Sequence, residues 1–414
     1  MDSRLFPYYA GYSAAFVREL LSSANLPSRS VILDPWNGAG TTIQAAHRLG
    51  FKSIGIDLNP VMVMVAKASL LSAREAPSLL PLAQSMIEQV DKRSCDKADR
   101  DPLANWLCAE NAGWVRQIET EINRTLISHS DYLPLTTAGA LSQASPLSAF
   151  LYVALFRAIR RLLQSFVPSN PTWIKTPRIS QARKRPQLKT IKEAFLNEVR
   201  RLAESLAKCD PVSAHDEAAA TVLLGSSEQL PLPSRTADLI LSSPPYCTRI
   251  DYAMATAIEL AILRFSAQSF DTLRRTLMGT STVLSDARKA PRKWGATCTE
   301  FLQQLHSHSS KASKSYYFKN HVQYFGALHR SVQELSRVLK IGGLCILVVQ
   351  DSHYKEVHND VPTMTAEMGQ EFRLVLRRRE DFPITRSMVR MNKRAVTYLK
   401  SRQNIESVLC FQKQ

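Results

Sequence analysis

The apolar positions of the chain change period several times, and those changes divide it. Residues 14–24 (AAFVRELLSSA) repeat apolar side chains at helical spacing and predict a helix. Residues 30–34 (SVILD) form a short continuous apolar run and read as a buried strand. A turn at Pro35-Trp36-Asn37-Gly38-Ala39-Gly40 follows, then a helix over 41–49. Residues 51–57 (FKSIGID) predict a second strand that ends on a carboxylate. Strand, loop, helix and strand in that order make a unit of the nucleotide-binding α/β type.

From 61 to about 215 the pattern is helical, with segments at 76–90, 106–128, 147–167 and about 190–208. A polar, basic interruption at 168–190 carries Pro168, Pro171, Pro177 and Pro186. Strand signals return at 221–225 (TVLLG) and 237–242 (ADLILS), and a helix is predicted over 253–265. Residues 266–320 are polar and poor in strand signals, with nine Lys or Arg against three Asp or Glu, and read as a second, partly flexible insertion. A helix at 321–339, a Gly342-Gly343 turn and a strand at 344–350 come next, with 372–378 and 406–412 as a closing strand pair. The segment boundaries are therefore 1–63, 64–215, 216–265, 266–320 and 321–414.

The 414 residues suffice for a large catalytic domain with an insertion, or for two domains. Lys and Arg number 53 against 36 Asp and Glu, a net charge of +17. That excess points to a polyanionic partner, nucleic acid ahead of an anionic membrane surface. The seven cysteines, at 95, 108, 209, 247, 298, 345 and 410, show neither CxxC spacing nor a zinc-ligand relation to histidine. Free thiols in a reducing compartment fit them. The stretch Met1-Asp2-Ser3-Arg4-Leu5-Phe6-Pro7 has no apolar signal core, and no segment is long and apolar enough to span a bilayer, so a cytoplasmic location without membrane contact is expected.

Two loops carry candidate chemistry. The first joins Asp34 to the helix at 41–49 through Gly38-x-Gly40. Glycines let a backbone approach a ligand closely, and a helix start offers unpaired N–H groups. Asp57, 17 residues after Gly40 at a strand end, is placed to accept both hydroxyls of an adenosine ribose. This spacing alone does not separate a dinucleotide from S-adenosylmethionine. The third glycine of a dinucleotide site is missing, Ile43 standing there, and Asp34 suits a cationic amino group better than a pyrophosphate. The second loop, Ser242-Ser243-Pro244-Pro245-Tyr246, ends the strand at 237–242. Paired prolines make an extended, stiff backbone whose carbonyls lack ladder partners. An exocyclic base amine is a poor nucleophile because its lone pair is conjugated into the ring. Acceptors for its hydrogens localise that pair, and the Ser243 hydroxyl and Pro244 carbonyl can serve. Tyr246 can stack on a base flipped from a duplex.

Together these stretches resemble the amino-methyltransferases of bacterial restriction-modification systems. Asp34-Pro35-Trp36-Asn37-Gly38-Ala39-Gly40-Thr41-Thr42 is similar to their cofactor motif, and Ser243-Pro244-Pro245-Tyr246 matches their catalytic motif. Cys247-Thr248-Arg249-Ile250-Asp251-Tyr252 resembles the extension found in a subset of DNA methylases. Tyr8-Tyr9-Ala10-Gly11-Tyr12-Ser13 resembles the N-terminal motif that closes over the methionine end of the cofactor. The resemblance implies an α/β fold, a Rossmann-like class I methyltransferase sheet, with a large helical insertion. Segment 1–63 would be the N-terminal motif and cofactor half, 64–215 the insertion with possible DNA recognition, 216–265 the catalytic half, 266–320 a basic insertion and 321–414 the rest of the core. It further implies S-adenosyl-L-methionine as cofactor, Asp57 as ribose ligand, double-stranded DNA as partner and a possible restriction endonuclease or defence-system companion. The family often has Gly-Asp-Ser before the catalytic strand, its Asp near the cofactor adenine; here Gly225-Ser226-Ser227 puts Ser226 in that place.

The cofactor residues expected are therefore Tyr12, Ser13, Asp34, Pro35, Asn37, Gly38, Gly40, Thr41, Thr42, Asp57 and Ser226. Phosphate contacts are expected from Trp173, Lys175, Arg178, Arg183, Lys184 and Arg185, and from Arg249, Lys289, Arg292 and Lys293. Cytosine C5 chemistry needs a Pro-Cys nucleophile, which is absent, and His306 and His308 in a polar loop are no metal site. In the resembling enzymes Ser at the head of the catalytic motif goes more often with cytosine N4, and Asp or Asn with adenine N6, so N4 of cytosine is expected with N6 of adenine as runner-up, whose ring N1 the same hydroxyl could serve. A Ser hydroxyl can donate to ring N3 of cytosine, whereas a carboxylate only accepts. Methylation of RNA or of a protein amide, and a non-catalytic nucleic-acid-binding protein on a vestigial core, are the alternatives.

Overall fold

A computed structural model describes residues 5–7, 12–91, 100–129, 131–168, 173–209, 219–247, 250–283, 292–310, 313–383 and 404–414. It is mixed α/β, with a mostly parallel seven-stranded sheet. The strands are β1 Val31–Asp34, β2 Lys52–Asp57, β3 Ala220–Leu224, β4 Ala237–Ser242, β5 Leu339–Gln350, β8 Leu374–Pro383 and β9 Ile405–Lys413, in the order β3-β2-β1-β4-β5-β9-β8. A separate two-stranded ribbon pairs β6 Ser352–Tyr354 with β7 Val357–Asn359. By its contacts the chain divides into two compact units, one of Met1–Ser28, Asn37–Leu224 and Asp251–Arg274, the other of Arg29–Trp36, Gly225–Ile250 and Arg275–Gln414.

The first unit holds the parallel pair β2–β3, in register from Ser53↔Ala220 to Asp57↔Leu224. Its helices are α1 Ala14–Ser23, α2 Thr41–Arg48, α3 Pro60–Ala68, α4 Ala76–Glu88, α5 Ala109–Asn123, α6 Ala138–Gln143, α7 Pro146–Leu162, α8 Leu188–Ala207, α9 Tyr252–Ala255 and α10 Ala257–Ile262. Every residue of α3 is buried, Lys67 included. The Lys67 ammonium donates to the carbonyls of Leu141, Ser142 and Ala144 at 2.7, 3.2 and 2.8 Å, closing the end of α6 with a cation. Burial pushes its pKa down. Helix α7 packs α8 and α3 with twelve buried positions.

A buried carboxylate ties this block. Glu119 of α5 is fully buried and accepts from Arg116 at 3.0 Å, Arg264 at 3.2 Å, Tyr132 at 3.0 Å and Tyr152 at 2.6 Å. Arg116 continues the network to Asp101 and to the carbonyls of Ala261 and Ile262. A second buried pair, Arg160 of α7 with Glu259 of α10 at 2.6 Å, joins the same two regions. Burial, then the Glu119 charge, pushes the Tyr132 and Tyr152 phenols up.

The second unit holds β1, β4, β5, β9 and β8. Strands β1 and β4 are parallel with Ile32↔Leu239 and Leu33↔Ile240, and β4 runs parallel to β5 from Leu239↔Leu344 to Ser242↔Leu347. All of these except Ser242 are apolar, as suits strands buried on both faces. β9 lies antiparallel between β5 and β8. Helices α12 Ala296–Ser307, α13 Phe318–Val338 and α14 Val361–Glu371 complete the unit, while α11 Ala267–Thr276 straddles the boundary.

One expectation is corrected. Gly342-Gly343 is not a turn before the strand but lies inside β5, where pairing with β4 jumps from Ala237↔Leu339 to Leu239↔Leu344 and residues 340–343 bulge. Gly342 has φ 78°, and a Cβ on Gly343 would meet the Asp238 carbonyl at 3.0 Å. The polar stretch 266–320 contains helices α11 and α12 as ordered elements. In α12 the buried positions Cys298, Phe301, Leu302 and Leu305 have helical spacing that the surrounding charge obscures.

Because Glu119 balances two arginines without water, Glu119→Ala is expected to destabilise the protein by about 3–5 kcal/mol, read as a lowered urea midpoint. Glu119→Gln, which keeps an acceptor, should lose less.

Candidate cofactor and catalytic loops

The cofactor loop is shaped by Gly38 and Gly40, whose φ angles of 48° and 87° favour glycine. A Cβ on Gly40 would sit 3.1 Å from that of Ala66 on α3. Gly40 precedes Thr41, the first residue of α2, so the helix starts directly on the loop. Asp57, at the end of β2, braces it: one carboxylate oxygen accepts from Gly38 N–H at 2.8 Å and the other from Asn59 N–H at 2.8 Å. Asn59 caps α3 and donates its side-chain amide to Thr256 Oγ1 at 2.9 Å. The Tyr12 and Thr42 hydroxyls hydrogen-bond at 2.6 Å, tying the N-terminal segment to α2, and the Ser13 hydroxyl caps α1 by accepting from Phe16 N–H.

Asn37 is 4% exposed, yet neither its side-chain oxygen nor its nitrogen finds a hydrogen-bond partner among the described residues. Its amide lies on Gly55 of β2, where a Cβ would come within 2.5 Å. A buried amide without partners is costly unless a ligand or water meets it.

The catalytic loop leaves β4 at Ser242. The buried Ser242 hydroxyl donates to the buried Asp34 carboxylate at 2.5 Å, and Trp36 N–H donates to the same oxygen at 3.2 Å. Beyond it Ser243, Pro245 and Tyr246 are half-buried and Pro244 is buried. Tyr324 of α13 donates its hydroxyl to the Pro245 carbonyl at 2.9 Å, and Tyr246 donates its hydroxyl to Glu406 Oε1 at 3.1 Å. Burial, then the Glu406 charge, pushes the Tyr246 phenol up. Gly279, at φ 76°, packs where a Cβ would lie 3.1 Å from the Tyr246 carbonyl. Pro35 is buried beside Asp34 in sequence, and Ser226 closes a turn by accepting from Glu228 N–H.

Of the basic residues, Lys175, Arg178 and Arg185 are exposed and Arg183 and Lys184 half-buried. Their backbone is pinned: Lys184 N–H donates to Trp106 O at 2.8 Å and Trp106 Nε1 donates to Lys175 O at 2.8 Å. Trp173 is 45% exposed, with the Arg274 guanidinium 5.7 Å from its ring centre. Arg274 also pairs with Asp251, the cap of α9, at 2.6 Å. Lys293 is exposed. Arg249, Lys289 and the Arg292 side chain lie outside the described residues, as do Tyr8, Tyr9, Ala10 and Gly11. Sequence reasoning missed Tyr324, Glu406, Arg274 and Asn59. Only Asn59 carried a local signal, an Asn before the proline that opens a helix.

Residues 6–68 match the family model described as DNA methylase. The chain is 25% identical over 285 residues to the Type II methyltransferase M.BsoBI of Geobacillus stearothermophilus, an alignment covering 65% of this chain and 54% of that protein. The chain thus spans about half the length of this relative. Among solved structures it is similar to a geranyl diphosphate methyltransferase in complex with SAM (TM-score 0.35, 9% identity, 97% of this chain and 85% of that one). Another is the rRNA methyltransferase aviRa of Streptomyces viridochromogenes (TM-score 0.30, 10% identity, 99% and 93%).

The residues of the cofactor loop fit S-adenosyl-L-methionine, the cofactor expected from the sequence. The two Asp57 oxygens accept from Gly38 N–H and Asn59 N–H, which fixes the carboxylate at the end of β2 beside the glycine loop. The unpartnered Asn37 amide offers both a donor and an acceptor.

The Ser242 hydroxyl serves a carboxylate removed from water. Ser242→Ala is expected to cost about 1–3 kcal/mol of stability, visible as a lower thermal midpoint, with the secondary structure retained by circular dichroism.

Proposed function

We propose that the chain is an S-adenosylmethionine-dependent DNA amino-methyltransferase that modifies N4 of cytosine on a base swung out of the duplex. The observation that carries the reading is a conjunction on one chain. A DNA methylase match covers the cofactor loop, and a Ser-Pro-Pro-Tyr loop ends a parallel strand whose last residue is bonded to Asp34. In open α/β sheets, ligands bind outside the carboxyl ends of the strands, where these loops lie.

The roles follow from the chemistry of each group. Asp57 holds the ribose hydroxyls. The loop at Gly38 and Gly40, with the start of α2 at Thr41 and Thr42, receives the methionine end, together with Tyr12, Asp34 and Asn37. Ser226 stands near the adenine. When bound, the cofactor supplies an electrophilic methyl group on a sulfonium. The Pro244 carbonyl accepts from the target amine and localises its lone pair, since Tyr324 already occupies the Pro245 carbonyl. The Ser243 hydroxyl pairs with ring N3, and Tyr246 stacks on the base. Stacking of this kind contributes about 1–3 kcal/mol per base.

The basic stretch from Trp173 to Arg185 contacts phosphates, with Lys293 and the neighbouring cations as a further set. The Arg274 link from Trp173 to Asp251 ties that stretch to the helix following the catalytic loop. Double-stranded DNA is the substrate, and a nuclease reading the same sequence is the companion suggested by the relative's designation as a Type II methyltransferase.

Incubating the protein with duplex DNA and cofactor, then digesting to nucleosides for mass spectrometry, tests the reading. N4-methylcytosine is expected. N6-methyladenine alone would move the target to adenine, and methylation of RNA but not DNA would overturn the substrate class. In the same preparation, Asp57→Ala is expected to weaken S-adenosylmethionine binding about tenfold to a hundredfold, measured by titration calorimetry on folded protein.

A further inference from the structure

Tyr246 is anchored at both ends. Its Cβ belongs to the proline-stiffened loop, and its hydroxyl donates to Glu406 of β9, 160 residues along the chain. Fixing Cβ and the phenol oxygen fixes the long axis of the ring while leaving both π-faces free of that bond. Glu406 is itself held by the sheet, opposite Gln350 of β5 and Phe382 of β8.

The preceding residue is anchored from elsewhere. Tyr316, in the turn leading into α13, and Asn320 and Tyr324, four residues apart on one face of α13, act together. They donate to the carbonyls of Ser281 at 2.8 Å, Thr280 at 2.8 Å and Pro245 at 2.9 Å. That face therefore grips the Pro245 peptide together with the segment next to Gly279, which packs on the Tyr246 carbonyl. A stacking ring works only if its plane is set before the base arrives, because ordering it afterwards costs binding free energy.

We propose that Glu406 and Tyr324 are positioning residues for the catalytic loop: Glu406 sets the ring of Tyr246, and Tyr324 sets the Pro245 peptide and with it the neighbouring Pro244 carbonyl. The inference rests on the reading of this loop as the methyl-transfer site. Neither residue touches the reacting atoms.

The test uses Glu406→Ala, Glu406→Gln and Tyr324→Phe in the full chain, with two readouts. The first is kcat and KM for DNA methylation. The second is amide hydrogen exchange of the peptide 241–247, which needs neither cofactor nor DNA. Glu406→Ala should lower kcat about tenfold, leave KM for S-adenosylmethionine within about twofold, and speed exchange in the loop. Glu406→Gln keeps an acceptor oxygen and should restore most of both losses. Tyr324→Phe should lower kcat about threefold to tenfold with faster exchange, and it tests the idea should Glu406→Ala not fold. Wild-type kcat and wild-type exchange in Glu406→Ala and Tyr324→Phe would overturn the inference, as would a Gln variant as impaired as the Ala variant. Faster exchange in a protein whose wild type methylates no DNA would instead sink the functional reading and leave the anchoring intact.

Discussion

A carboxylate at the end of a buried parallel strand has to be satisfied without water, and Asp34 is in that position. It takes a hydroxyl hydrogen from Ser242 at the end of β4 and a backbone hydrogen from Trp36. The strands it joins are in register through Ile32↔Leu239 and Leu33↔Ile240. The consequence is geometric: the two chain exits, one toward the glycine loop and one toward the proline loop, are set at the same level of the sheet. A hydrophobic residue at 34 would leave Ser242 without its acceptor, and a longer residue at 242 would part the strand ends.

Buried carboxylates occur in the helical part as well, here paired with arginines. Glu119, Glu198 and Glu259 are almost wholly buried and each meets at least one arginine. Such pairs add little over a well-packed apolar core, but a missing partner is severely penalised. They therefore favour one helix arrangement over its neighbours. Arg157 shows the economy of the scheme: it binds Glu198 and also donates to the Leu5 carbonyl, so the same pair holds α8 and the N-terminal segment.

The sequence was most legible where local pattern and burial agree. The runs VILD and ADLILS are continuous apolar stretches flanked by turn residues, and they are β1 and β4 to within a residue. Asp57 was legible because a strand ending on an acid after a glycine turn is a local event. What escaped has one physical cause, sequence distance. The Tyr246–Glu406 bond, the Tyr324–Pro245 bond and the Glu119 cluster join residues separated by 160, 79 and up to 145 positions, and no periodicity encodes them. The glycines at 342 and 343 misled for a different reason. A bulge and a turn ask the same backbone freedom of glycine, and only the partner strand distinguishes them.

The position of β9 has a bearing on how the protein is made. It follows β8 in sequence, yet it sits between β5 and β8 rather than at the rim. Until residues 405–413 emerge from the ribosome, β5 presents an open edge with Ile346, Leu347, Val348 and Val349 in sequence. Unpaired edges of this apolar character recruit other strands. Synthesis from the N-terminus therefore makes both β5 and β8 before the strand that joins them. Closure comes by insertion of β9 into a waiting slot, a long-range pairing that is slow by its nature.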